Sequence, residues 1–209
     1  MIRNDNSASD DLRCMFALSW RLPNFVSRFM AVAIVLFVGT LSLHSQQAKP
    51  TEYQVKAAFL FNFAKFVDWP ADAFSNPDSP LQICVLGQDP FGHEFELVIA
   101  DKTVNGHRIE VIHPSGVPQA KACHIIFVTS SEKQQLRDIL RGLRGASVLT
   151  VGELPGFAKG GGIINFVLDD SRVRFEINLK AAERAHLKLS ARLLTVAKLI
   201  VTDEDTPGN

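Results

Sequence analysis

From Arg172 to Asn178 polar and apolar side chains take alternate positions. Val173, Phe175 and Ile177 form one set, and Arg172, Arg174, Glu176 and Asn178 form the other. A period of two sends the two sets to opposite faces of a β-strand. The apolar run Ile163 to Leu168 lies just upstream, and Asp169-Asp170-Ser171 supplies turn chemistry between the two. This pattern predicts an antiparallel hairpin whose second strand is half-buried. Gly160, Gly161 and Gly162 introduce it, permitting positive φ and close backbone approach. Asn178 ends the second strand and is placed to cap a helix starting at Leu179.

Upstream, Glu52 to Val67 contains no proline or glycine, and Pro70 follows Trp69. Thr51 is the expected N-cap of a helix here. Tyr53, Ala57, Leu60, Ala64 and Val67 make an apolar stripe, with Phe59, Phe63 and Phe66 beside it and Phe61 on another side. A helix apolar over so much of its circumference needs cover on more than one face, from the core or from a second copy of the chain. Leu81 to Leu86 reads as a buried strand, Phe91 to Ala100 as a helix, and Arg108 to Ile112 as a strand after an Asn105-Gly106 turn. A loop runs from Pro114 to Pro118. Cys123 to Val128 is the next strand.

Thr129 and Glu132 have capping-box spacing ahead of a helix whose apolar stripe is Leu136, Ile139, Leu140 and Leu143. Lys133, Arg137, Arg141 and Arg144 mark its wet side, and Gly145 ends it. Ser147 to Val151 is a strand, and Leu154 to Phe157 a loop. Leu179 to Ala185 and Ala191 to Ile200 are expected helices, the second capped by Ser190. Short apolar strands joined through helices predict an α/β three-layer sandwich. Its sheet is mixed but largely parallel and ends in the antiparallel hairpin.

The N-terminal region changes this picture. An uncharged apolar run from Phe29 to Leu43 follows Arg13, Arg21 and Arg28 and gives way to Ser45-Gln46-Gln47-Ala48. That is the layout of a secretory signal peptide, with residues 1–48 as leader and the mature chain starting between about Ser45 and Lys49. The run is shorter than the roughly 20 residues that span a bilayer, which favours cleavage over the alternative of a retained membrane anchor. Residues 49–201 then form one domain, and 202–209 a frayed polar tail. Removing residues 1–44 takes away four arginines and three aspartates, leaving 18 basic and 19 acidic side chains. That balance carries no electrostatic footprint for nucleic acid.

Cys14 falls within the leader, so Cys84 and Cys123 form an even pair in an exported chain. Either they form a disulfide, which needs neighbouring strands, or they are two buried thiols. The six histidines show no metal-ligand spacing; His107 and His113 alone share a strand side. No GxSxG elbow, GxGxxG or Walker pattern occurs, so the residues point to no enzyme and no cofactor. Arg174 and Glu176 lie two residues apart on one strand face. They form either a surface salt bridge or one edge of a binding site.

Several segments together resemble the YfiR-like family of periplasmic proteins: EYQVKAAFLFNFAKFVDWP, LQICVLGQDPFG, CHIIFV, VLTVGELPGFAKGGG and the hairpin with its following helices. The resemblance runs from about Glu52 to Ile200. It implies a periplasmic regulator that binds and represses an inner-membrane diguanylate cyclase, or a sensor kinase, through that protein's periplasmic domain. It also implies that the F…E positions of the hairpin belong to the effector surface. Phe166, Arg174, Glu176 and Asn178 are therefore the candidate partner-binding residues, and a homodimer is expected. A periplasmic small-ligand binding module is the alternative function, and an unrecognised hydrolase a third.

Overall fold

The computed structural model of the protein describes residues 50–201. The signal-peptide reading and the polar tail fall outside these residues. No helix among the described residues is long and apolar enough to cross a membrane.

The described residues open with α1 (Glu52–Lys65), then β1 (Val67–Asp68), β2 (Leu81–Leu86), α2 (His93–Ile99), β3 (Thr103–Val104) and β4 (His107–Ile112). Next come α3 (Val117–Ala120), β5 (Ile125–Val128), α4 (Leu136–Gly142), β6 (Leu149–Gly152), β7 (Ile164–Asp169) and β8 (Arg172–Asn178). The end of the domain is α5 (Leu179–Arg184), β9 (Lys188–Leu189), α6 (Ala191–Thr195) and β10 (Leu199–Val201). Eight strands form one sheet in the order β10-β8-β7-β6-β5-β2-β4-β3, and β1 pairs with β9 in a small separate ribbon. β4, β2, β5, β6 and β7 run parallel, while β3 against β4 and β7 against β8 are antiparallel. The expected mixed, largely parallel α/β sheet is present.

Alternation along the strands creates the three layers. Leu81, Ile83 and Val85 of β2 and Ile125 and Phe127 of β5 enter one apolar cluster with α1 and α2. Cys84, Leu86, Ile126 and Val128 point the other way, into a second cluster with Ala120 of α3 and Ile139 and Leu140 of α4. Strands buried on both faces need apolar residues at every position, hence the continuous runs in the sequence.

Thr51 closes a capping box on α1 with Gln54. Phe61 and Phe63 are buried and Phe59 and Phe66 half-buried, so α1 is largely covered within one chain. The Asn105-Gly106 turn has positive φ at both residues (51° and 89°) and joins β3 to β4, a hairpin whose first strand is too short to read from sequence.

Two expectations are corrected. Thr129 makes no capping bond; its hydroxyl meets Ser131 at 2.8 Å, a 3-10 turn follows, and α4 begins only at Leu136. Likewise the helix expected over Ala191 to Ile200 stops at Thr195. Leu199–Val201 pairs parallel with β8 as an edge strand, because the β-branched Ile200 and Val201 find an open sheet edge there.

The disulfide between Cys84 and Cys123 links β2 to the residue two positions before β5, its neighbour in the sheet, with Cα atoms 6.0 Å apart. On the same seam, buried His124 stacks on Phe74 (4.2 Å between centroids), and Phe74 stacks on His107 (4.0 Å). Its Nδ1 accepts the Gln82 N–H (3.1 Å), so its proton sits on Nε2 and is donated to the Ala73 carbonyl (3.1 Å). A second ring proton would oppose the Gln82 N–H.

Burial lowers the His124 pKa, with nearby His107 adding to the effect against the Ala73 bond. A depressed histidine pKa means that the unfolded chain binds the proton more readily. This contribution is therefore fully present above about pH 6.5 and is lost as pH falls towards the folded-state pKa. Unfolding midpoints measured from pH 7.5 down to pH 5 should decline, and His124→Gln should flatten that decline. An equal slope in the variant would assign the acid sensitivity to other groups.

Candidate functional site

Strand β6 ends at Gly152, whereas β7 runs on to Asp169, so only Ile164 and Asn165 of β7 pair with β6. Beyond them the β7–β8 hairpin overhangs the carboxyl edge of the parallel strands, where open α/β sheets place their ligands. A two-residue turn, Asp170 and Ser171, closes it with φ of 47° and 61°, the conformation such tight hairpins need. The glycine triplet serves the approach to this hairpin. A Cβ on Gly162 would fall 2.0 Å from the Phe157 ring, and one on Gly152 2.4 Å from it. Both glycines thus make room for a fully buried phenylalanine under the loop.

Beneath the overhang lies a cavity of about 660 Å³. One wall comes from Glu52, Tyr53 and Lys56 of α1, another from Glu153, Gly156 and Lys159 of the β6–β7 loop, and a third from Asn165, Phe166, Leu168 and Glu176 of the hairpin. Lys56 is only 4% exposed. Its ammonium bonds Glu153 Oε2 at 2.7 Å and pairs with Glu52 one turn back. Glu153 Oε1 in turn accepts the Ser130 N–H at 3.0 Å. The Lys56 ammonium also lies over the Tyr53 ring, 4.6 Å from its centroid. Burial alone would push the Lys56 pKa down, but hydrogen bonds and charge from Glu153 and Glu52 hold it above the usual lysine value. Burial, then the Glu153 charge, raises the Tyr53 phenol. Ammonium and carboxylate neutralise each other, which suits a rigid site wall better than a free acid or base.

Sequence reasoning missed this pair. Lys56 stands three residues after Tyr53 and four before Leu60, a position on the inward stripe itself. A lysine there signals a buried charge with a partner.

The named hairpin residues separate in the structure. Phe166 faces the core at 3% exposure, with ring centroids 5.7 Å from Phe63 and 6.0 Å from Phe59. Asn178 is buried and doubly bonded: Oδ1 accepts the Ala181 N–H at 2.9 Å, and Nδ2 donates to the Ala158 carbonyl at 2.7 Å. It caps α5 as expected, but both ends of its side chain are occupied. Arg174 is exposed and Glu176 half-buried, on the face opposite Phe175. No ion pair joins Arg174 to Glu176; the carboxylate accepts from Asn165 Nδ2 at 3.4 Å instead.

His107 and His113 are not brought together as ligands, since His107 contacts Ser79 and Phe74 while His113 meets Asp89 at 3.1 Å. Among the described residues no group of three or more histidine, cysteine, aspartate or glutamate side chains is placed to hold a metal.

Comparison with known proteins bears on the fold and the family. A solved structure of a conserved domain protein from Vibrio cholerae O1 biovar El Tor superposes with a TM-score of 0.50 at 11% identity, covering 72% of this chain and 60% of that one. The chain therefore spans about 60% of that structure's length. The ABC domain in complex with L-Trp from Streptococcus pneumoniae gives a TM-score of 0.44 at 12% identity, covering 62% of this chain and 57% of that one. At 11% identity the likeness to the Vibrio cholerae structure concerns fold alone. No curated protein matches the chain. The family model described as YfiR/HmsC-like matches residues 53–198, from the first turn of α1 to the threshold of β10, and the chain belongs to that family.

Proposed function

We propose that the protein is a periplasmic regulator that binds and restrains an inner-membrane signalling enzyme, a diguanylate cyclase, through that enzyme's periplasmic domain. Membership of the YfiR/HmsC-like family supports the regulatory class. The observation that carries the contact surface is the overhanging hairpin. Its face opposite Phe166 and Phe175 sets half-buried Val167 opposite Arg174 and Asp169 opposite Arg172, with half-buried Glu176 next along the strand. An apolar residue beside fixed charges has the anatomy of an interface centre with its rim. Arg174 and Glu176 make the contact in this reading. Phe166, stacked beneath, and Asn178, capping α5, hold the hairpin in place.

Reversing a rim charge opposes the partner's potential and leaves packing nearly unchanged. Glu176→Lys should fold and be exported like the wild type, bind its partner at least ten-fold more weakly (about 1.4 kcal/mol), and raise cellular cyclic-di-GMP. Unchanged cyclic-di-GMP with a normally folded variant would count against the assignment. The cavity beside the hairpin favours a second reading, a small-ligand binding module, and the two are compatible.

A further inference from the structure

Among the described residues, one buried side-chain polar atom has no hydrogen-bond partner: Oδ1 of Asn165. Asn165 is 1% exposed and also lines the cavity under the hairpin. In the ligand-free protein Nδ2 is the end that faces Glu176, at 3.4 Å, because the opposite flip would set Oδ1 against that carboxylate. Leaving a buried acceptor unpaired costs on the order of 1–3 kcal/mol, and native proteins keep few such groups without a use.

The charges of the cavity point the same way. Lys56 is committed to Glu153 and Glu52, which leaves Glu176 as a half-buried carboxylate on the cavity with only the long Asn165 contact. Lys159 is exposed at the rim. An unpaired amide oxygen and an unneutralised carboxylate on adjacent paired strands form a two-acceptor edge beside apolar walls from Tyr53, Phe166 and Leu168.

We infer that the cavity binds a small organic cation, an alkylguanidinium or alkylammonium compound, whose N–H donors bridge Asn165 Oδ1 and the Glu176 carboxylate. The amide turns about its broad terminal torsion to meet the donor. The alkyl body lies against Tyr53 and Phe166, and the volume of about 660 Å³ falls in the range of small-molecule sites. A guanidinium suits the edge best, since its planar fork presents several donors at once. This inference does not rest on the regulatory reading.

The test uses the purified exported protein with agmatine and methylguanidinium as probes and N-butylurea as a neutral control. Calorimetric titration and thermal unfolding are expected to show saturable agmatine binding with a rise in Tm, and no response to N-butylurea. Glu176→Gln should weaken agmatine at least ten-fold. Asn165→Leu should abolish binding while its ligand-free Tm stays at or above the wild-type value, because the orphan acceptor is gone; an asparagine with a purely structural role would instead lose stability. Should Asn165→Leu not fold, Glu176→Gln decides. Wild-type protein inert to both cations at millimolar concentration, N-butylurea binding as well as agmatine, or unaltered binding by the variants would each overturn the inference. No partner is present in these measurements, so their outcome is separate from that of the cyclic-di-GMP experiment.

Discussion

Lys56→Met is expected to cost about 3 kcal/mol of folding stability, far more than its methylene packing would suggest. Met fills the stem's space, but it leaves the Glu153 carboxylate buried with no cation beside it, held by neutral groups such as the Ser130 N–H and the Tyr53 hydroxyl. Removing one member of a buried ion pair strands the other charge away from water, and the penalty belongs mainly to the stranded charge. Glu153→Leu should cost less, because Lys56 keeps Glu52 one turn back as a partner. In the double variant no charge is stranded, and most of the stability should return, so the two single losses are strongly non-additive. Urea denaturation of the four proteins measures the cycle. Additive losses would show that Lys56 and Glu153 act independently, and the rigid wall assigned to the cavity would lose its basis.

Breaking the Cys84–Cys123 bridge is the second large effect. The two cysteines are 39 residues apart, and in the chain-entropy account closing a loop of that length stabilises by about 3–4 kcal/mol. Both sulfurs are buried in the layer of α3 and α4, with Cys84 at 0% and Cys123 at 4% exposure. Cys84→Ala/Cys123→Ala keeps the apolar character of the site while releasing the constraint. Its denaturation midpoint should fall well below that of the oxidised wild type and match that of reduced wild type. Equal midpoints for oxidised and reduced protein would remove the bridge from the account of stability.

What could be read in advance follows the range of the interaction. β2 and the β7–β8 hairpin were legible because their signals are local: a run of apolar residues bounded by Gly87, and an apolar run before Asp170-Ser171 with strict alternation after it. The N-caps at Thr51, Asn178 and Ser190 were legible for the same reason, since a cap is made within three residues. Leu199–Val201 was not, because its strand state depends on an edge supplied by β8 more than twenty residues earlier. The site divides in the same way. Arg174 and Glu176 are placed by alternation alone. Burial of Phe166 under α1 and the Lys56–Glu153 pair across 97 residues depend on tertiary packing. The cavity itself exists because β6 stops short of β7, a difference in strand length that no single segment encodes.

The central claim is that the outer face of the β7–β8 hairpin meets an inner-membrane partner. A photocrosslinking residue placed at Arg174 in living cells tests it most directly, with one at Leu97 as control, since Leu97 is 64% exposed on α2 and outside the hairpin. The account predicts an adduct from position 174 containing an inner-membrane signalling protein, absent from position 97 and lost with Glu176→Lys. No adduct from position 174, or the same adduct from position 97, would contradict it.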